Sequence, residues 1–478
     1  MQLQYILVQA EERGEALAHY TKNKPNALVP VDNCPILFHL FQRFPKAHYI
    51  VVGDYQFDVL KRYVSSFFKG DVTIIKREQL RDTIKKKWQP DRQALLLKGN
   101  VILAKNCEFP EGNDTFLGQI DGKYAALLCQ MGEAKDTETL VEQFFTDDVN
   151  PAQTTEWDLK DSICYDSIEK VTQMVDRHCR PFNQMEWSEE FILKEGRDAQ
   201  GLKLAAREIS WYQSVQQMGF EQLPRIYSYE PFIMERITGK NMYAYEHLTY
   251  EEKAAMLTDT VDMLKKLHAL GKIPAEKASL KDAYAEKTFD RLNKVRDVIP
   301  FADQEEIVVN KRRCRNVLYH KKAFEQLTDK LATEEFTVIH GDCTFSNIMF
   351  RETDEGREPI LIDPRGYFGF TELYGDAKYD WAKLYYSVVG NFDQFNNKNF
   401  SLTIHENEVE VQTGSNHWED MEEFYLELLG GEADRMTLRF IHTIFWLSLT
   451  SYAWEDYDSI CGAFYNGIYH LEPLWDIL

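Results

Sequence analysis

The sequence predicts two architectures in one chain: an α/β domain at the amino end, then an α+β region that turns helical toward the carboxy end. Three observations predict this. Short apolar runs alternate with helical patterns over residues 1–150, as in an α/β layer with a largely parallel sheet. A strand–helix–strand succession follows within 151–237, and helical periodicity dominates 238–478. The chain is therefore read as three segments, consistent with two to four domains at roughly 100–200 residues each.

In the first segment the strand-like runs are Leu3–Val8, Tyr49–Val52, Val72–Ile75, Ala94–Leu97 and Tyr124–Leu128. The second opens with a polar helical stretch from about 155. It continues as a strand at Phe191–Lys194, a helix at Leu202–Met218 and a strand at Pro231–Arg236. The third is interrupted near 336–370 by two short strands with loops, and near 401–412 by a hairpin. The apolar stretch Phe440–Trp454 contains His442 and falls short of the 18 or so residues that span a bilayer, so it reads as a core helix. No internal repeat or low-complexity segment interrupts the chain.

Composition excludes several classes. Of 478 residues, 55 are Lys or Arg and 77 are Asp or Glu, a net charge of −22. Nucleic-acid affinity rests on cations that neutralise phosphates, so no nucleic-acid partner is expected. The basic runs Lys85–Lys87 and Lys311–Arg313 are short and read as solvated faces. A hydrophobic share of 44% supplies ample core and argues against global disorder. The amino-terminal residues MQLQYILVQAEERGE lack the pattern of a secretion signal. The eight cysteines are scattered, without a CxxC pair or zinc spacing. Free thiols and a cytoplasmic location are the expectation.

The stretch carrying chemistry is FTVIHGDCTFSNIMF, followed by EPILIDPRG. A strand leads into a loop holding His340, Gly341, Asp342 and Asn347, and Asp363 closes the apolar run Ile360-Leu361-Ile362. Such a set suits phosphoryl transfer: one carboxylate orients or deprotonates a hydroxyl, while an amide oxygen and a second carboxylate are hard ligands for Mg²⁺. The bland alternative makes HGD a turn, Asn347 a loop cap and Asp363 a strand-end carboxylate.

HGDCTFSN with LIDPRG resembles the catalytic and metal loops of the aminoglycoside phosphotransferase and choline kinase superfamily, over about residues 185–478. The resemblance implies a bilobal, protein-kinase-like fold with a helical carboxy lobe, acting on small molecules with ATP and Mg²⁺. It implies Asp342 as catalytic base, Asn347 and Asp363 as metal ligands, and His340 as a brace. Upstream, Lys194 ends a strand and Glu208 lies in the following helix, the order in which a kinase-like fold sets its lysine–glutamate pair on the nucleotide. PFIMERITG has the form of a strand entering a hinge, where the backbone of Glu235, Arg236 and Ile237 would meet adenine and Gly239 would turn the chain. His268 reads as a packed core residue, and Asp376 as a helix cap.

Two departures stand out. There is no glycine between Gly132 and Gly196, so the glycine-rich phosphate loop expected before Lys194 is missing; Ser188 or the backbone of 183–188 is the substitute on offer. Asp363 is followed by Pro364-Arg365-Gly366, where the family more often has an aromatic residue. Arg365 is read as a catalytic candidate, stabilising the transferring phosphate or holding an anionic substrate. A pair with a structural carboxylate is the alternative.

Residues 24–37, KPNALVPVDNCPIL, resemble the PKALVPVxGxPLL segment of sugar-nucleotide and choline-phosphate nucleotidyltransferases, over perhaps 1–130. The chemistry of that family is missing. Ala10, Glu11 and Glu12 stand where a backbone should approach a triphosphate, Asn26 where the family has a lysine, and Asn100 near its metal-binding aspartate. A degenerate nucleotidyltransferase-like domain is expected.

The leading expectation is thus an ATP- and Mg²⁺-dependent kinase for a hydroxyl of a sugar, amino sugar or amino alcohol, in keeping with cell-envelope precursor metabolism. The acceptor would lie between Asp342 and the carboxy-terminal helices, where Trp446, Tyr452, Trp454, Glu455, Asp456 and Asp458 offer aromatic faces and carboxylates to a cation. The competing class is a non-catalytic pseudokinase joined to a pseudo-nucleotidyltransferase as a scaffold. The oligomeric state is not legible.

Overall fold

The computed structural model describes residues 4–87, 92–130, 134–172, 183–196, 199–354 and 356–476. It forms two compact units: Met1–His178 with Ala453–Asp458, and Cys179–Tyr452 with Ser459–Leu478.

The first unit is built on a seven-stranded sheet. Its strands are β1 (Tyr5–Ala10), β2 (His48–Gly53), β3 (Val72–Ile75), β4 (Gln93–Lys98), β5 (Phe116–Ile120), β6 (Lys123–Gln130) and β7 (Thr155–Trp157). They lie in the order β7-β5-β6-β4-β1-β2-β3. β1 pairs in parallel with β2 and β4, and β2 with β3, so all five expected runs are strands and four of them form a parallel core. β6 runs antiparallel to β4 and to β5. β5 escapes a periodicity search because its apolar run is broken at Gly118, where a Cβ would meet the Leu159 side chain at 2.6 Å. Leu7, Ile50, Val52, Leu96, Leu127 and Phe144 form one core cluster of this unit.

Ala453–Asp458 packs as part of the first unit, which nothing in the spacing signals. Lys24, buried, pairs with Asp456 at 3.0 Å and with Asp458. Trp454 packs edge-on against Phe38 and at a tilt against Phe67, and its carbonyl accepts the Tyr63 hydroxyl. Asp456 and Asp458 therefore do not stand as carboxylates for a cationic acceptor; their charge is spent on Lys24.

In the second unit a four-stranded antiparallel sheet comes first: β8 (Asn183–Trp187), β9 (Phe191–Gly196), β10 (Ile226–Tyr229) and β11 (Phe232–Glu235), in the order β8-β9-β11-β10. Helix α1 (Ala199–Gln217) joins β9 to β10. The polar helical stretch expected from about 155 instead contains β7 and a short helix at Ile168–Thr172, and its remainder lies outside the described residues. Next come α2 (Tyr250–His268), α3 (Lys287–Val295), β12 (Glu335–Val338) and the hairpin β13 (Ile348–Thr353) with β14 (Gly356–Leu361). The helices α4 (Ala377–Val388) and α5 (Arg435–Leu449) pack against each other. The expected hairpin near 401–412 forms between Phe400–Ile404 and Val409–Thr413. Phe440 to Leu447 are buried in α5, as expected of a core helix. Among the described residues no helix is long and apolar enough to cross a membrane. Seven cysteines are free and buried; Cys179 lies outside the described residues.

Candidate active site

The loop from His340 to Asn347 hangs between β12 and β13, and its shape is set from below by one buried carboxylate. Asp380, in the first turn of α4, accepts the amides of His340 at 2.8 Å and Gly341 at 2.7 Å. His268 at 3.1 Å braces it from α2. Burial alone would raise the Asp380 carboxyl, but the His268 bond and the His340 amide outweigh burial and hold it below the usual carboxylate range. Asp376 caps α4 by accepting the Lys378 amide at 3.0 Å, as expected, and also takes the Tyr284 hydroxyl at 2.9 Å.

His340 ties the loop to the second carboxylate. Its Nδ1 accepts the Asp342 amide at 3.2 Å and its Nε2 donates to the Ile362 carbonyl at 2.9 Å. Burial lowers its pKa, and a neutral ring is what this donor–acceptor pair requires. Asn347 donates its amide to the Asp342 carbonyl at 2.8 Å and to Asp342 Oδ2 at 3.3 Å. That orients the Asn347 Oδ1 away from Asp342, as a neutral oxygen ligand. Asp363 follows β14 with φ at +53°, a left-handed conformation that a non-glycine residue rarely adopts. An amide oxygen and a partly exposed carboxylate on adjoining loops fit a hard divalent cation such as Mg²⁺.

Lys194 reaches this site from β9. Its Nζ donates to Glu208 of α1 at 2.7 Å and to Asp363. Burial alone would lower its pKa; the two carboxylates reverse that and keep it cationic. Burial pushes Glu208 up to about 7 against the pull of Lys194. Helix α1 is anchored to the same loop: Trp211 donates to the Ile339 carbonyl at 2.7 Å. Gly366, φ +69°, lets the chain pass α1 closely, since a Cβ there would meet the Arg207 carbonyl at 3.3 Å.

Where the glycine loop was expected stands the turn of the β8–β9 hairpin. Ser188 closes its turn, accepting the Phe191 amide at 2.9 Å and the Glu190 amide at 3.3 Å. At the hinge the Glu235 amide donates to Arg225 and the Arg236 amide to Glu190. The Glu235 side chain accepts from Arg351 at 2.8 Å and from the Arg225 amide at 2.8 Å. Ile237 is the hinge residue whose amide has no main-chain partner among the described residues.

Residues 184–395 match the model of the phosphotransferase enzyme family. This stretch, less than half of the chain, is similar to that family. It contains Lys194, Glu208, the hinge, the catalytic loop, Asp363 and Arg365, so the enzyme class read from the sequence stands. No curated protein matches the chain. Among solved structures, the gentamicin complex of APH(2")-IIa is 16% identical and covers 60% of this chain and 87% of its own, with a TM-score of 0.37. Glucosamine kinase is 14% identical, covers 63% and 79%, and scores 0.38. CTP:phosphocholine cytidylyltransferase from Streptococcus pneumoniae is 13% identical, covers 36% of this chain and 97% of its own, and scores 0.27.

Beside the His340–Asn347 loop the chain carries charge that its motifs do not foretell. Lys383, one turn after Tyr379 on α4, pairs with Asp342 Oδ1 at 2.8 Å. Arg365 does not pair with a structural carboxylate. It donates to the Tyr379 hydroxyl at 2.5 Å and the Tyr367 hydroxyl at 3.2 Å. Lys287 of α3 donates to the same Tyr367 hydroxyl at 3.1 Å. Burial would raise the Tyr367 pKa, yet Arg365 and Lys287 pull it down to about 7.

In the first unit the positions expected to have lost nucleotidyl chemistry hold structural bonds. Glu11 accepts from Arg77 at 3.2 Å and from Gln9 at 3.2 Å. Asn26 is buried, and Asn100 donates to the Cys164 sulfur and the Tyr165 carbonyl, each at 3.4 Å.

Proposed function

We propose that the second unit transfers the γ-phosphoryl group of ATP to a hydroxyl of a small molecule, with Asp342 as base. The observation that carries this reading is one connected set: Lys194 bonded to both Glu208 and Asp363, and Asp363 joined through the Ile362–His340 bridge to Asp342 and Asn347. In this reading β8–β11 with α1 grip the nucleotide, the Ile237 amide meets adenine, and Lys194 binds its phosphates. Asn347 and Asp363 would hold Mg²⁺, which neutralises charge on the phosphates when bound. Asp342 accepts the acceptor's hydroxyl proton as the new O–P bond forms and the bond to the leaving ADP oxygen breaks. The bonds to His340 and Asn347 keep that carboxylate aimed. Residues 238–478 supply the acceptor side. A nucleotidyltransferase-like unit on the same chain supports a place ahead of nucleotide activation of the phosphorylated product.

The test is ADP release with Mg²⁺ across sugars, amino sugars and amino alcohols. Asp342→Asn should cut acceptor-dependent turnover by about 10²–10⁴-fold while leaving the melting temperature in place. Undiminished turnover in the variant would remove Asp342 from the mechanism. No turnover together with no stabilisation by ATP·Mg²⁺ would favour the scaffold reading.

A further inference from the structure

Resting on the kinase reading above, we propose that the acceptor is an anion: its hydroxyl faces Asp342, and a carboxylate or phosphate elsewhere on the molecule is held by Arg365 and Lys287.

Three cations gather on one ring. The Arg207, Lys287 and Arg365 side chains lie 4.3, 4.6 and 4.6 Å from the centre of Tyr367. Arg207 has a partner in Glu372 at 3.6 Å. Among the described residues Arg365 and Lys287 make no ion pair with a carboxylate; their hydrogen bonds go to tyrosine hydroxyls. Asp282 is the carboxylate nearby that feels both cations, and it pairs with neither. A partly buried cation with no carboxylate bonded to it is costly. An incoming anion would add a full counter-charge, through charge-assisted bonds, to cations whose own hydrogen bonds go to tyrosine oxygens.

The cluster adjoins the reacting hydroxyl. The Arg365 amide donates to the His340 carbonyl at 2.9 Å, and its Cβ lies 3.0 Å from where a Cβ on Gly341 would stand, next to Asp342. Phe445 continues the wall: Tyr379 packs on it at 4.8 Å and the Lys383 ammonium lies 4.5 Å from its centre. At the far end Arg291 donates to the Tyr452 hydroxyl at 2.9 Å. A cationic acceptor would meet these charges head-on. The carboxylates that might have welcomed it, Asp456 and Asp458, are paired with Lys24 in the first unit.

The experiment uses the full chain saturated with ADP·Mg²⁺, which fills the nucleotide site. Melting temperature is then followed with inorganic phosphate and, separately, with gluconate, in wild type, Lys287→Gln and Arg365→Gln. In parallel, ATP turnover is compared across glucose, glucosamine, gluconate and glucose 6-phosphate. We expect an anion-dependent rise in melting temperature that is lost in Lys287→Gln and kept in Lys287→Arg. Where turnover is seen, kcat/KM for the anionic members should exceed that for glucose by about tenfold or more, with the gap closed in the glutamine variants. Response to phosphate alone or gluconate alone tells a phosphate ester from a carboxylic acid. Absence of any anion-dependent shift, or turnover favouring glucose or glucosamine, would overturn the inference. Failure of ATP·Mg²⁺ itself to raise the melting temperature would instead overturn the kinase reading. Lys287→Gln, on the rim of the cluster, keeps the test decisive if Arg365→Gln does not fold.

Discussion

At the residue scale the site is a set of buried charges whose costs are met by specific partners, and Asp393 shows what happens when a partner is missing. It accepts the Ser346 amide at 3.1 Å under the catalytic loop, but its Oδ2 is buried without a partner among the described residues. Burial pushes its pKa from 3.8 up to about 6. A carboxyl raised in the folded state stabilises fully below its ordinary value, and loses that contribution as pH rises through its folded value. Asp393→Asn keeps the acceptor oxygen and removes the ionisation. The stability gap between variant and wild type, read from denaturant midpoints, should widen as pH rises from 3.8 through about 6 and then level off. By about pH 7 it should reach about 3 kcal/mol. A constant gap across that range would remove Asp393 as the titrating group.

At the scale of elements, α4 is the part that shapes the catalytic loop. Asp380 faces two loop amides, so its replacement unmakes the loop before it touches substrate. Asp380→Asn retains one acceptor oxygen for two donors. We expect kcat to fall more than tenfold, while ATP·Mg²⁺ still raises the melting temperature. Unchanged kcat would show that the loop holds its shape without the second bond. Helix α2 gives the matching control, being capped by a reciprocal pair: Thr249 accepts the Glu252 amide at 3.2 Å, and Glu252 accepts the Thr249 amide at 2.9 Å. Thr249→Ala should cost about 1 kcal/mol in a denaturation curve and leave kcat alone.

At the scale of the whole molecule, the first unit is completed by six residues from far along the chain. Lys24→Met would leave Asp456 buried, and Asp458 partly buried, beside a neutral side chain. Breaking a buried pair from one side costs about 3–5 kcal/mol. The triple variant with Asp456→Asn and Asp458→Asn should recover much of that loss, because removing both charges removes the uncompensated one. Calorimetry of the two variants checks this, and equal losses would show the ion pairs to be incidental. It also follows that residues 1–178 alone should be markedly less stable than the same unit in the full chain.

Local pattern made legible the five strands expected in the first unit, the order of Lys194, Glu208, the His340–Asn347 loop and Asp363, and the cap at Asp376. Each rests on neighbours in the chain, through side-chain alternation, apolar runs ending in polar residues, or a turn of fixed spacing. The remainder depends on contacts made in the folded chain. Arg365 could be read as a phosphate clamp or a structural cation until Tyr379, Tyr367 and Lys287 were found around it, from two other elements and its own loop. Asp456 and Asp458 looked like part of an acceptor site until Lys24, more than four hundred residues away, claimed them. Strand β5 hid behind a glycine needed for its contact with Leu159. A charge's meaning is set by what desolvates and faces it, and those partners come from distant positions that no local pattern encodes.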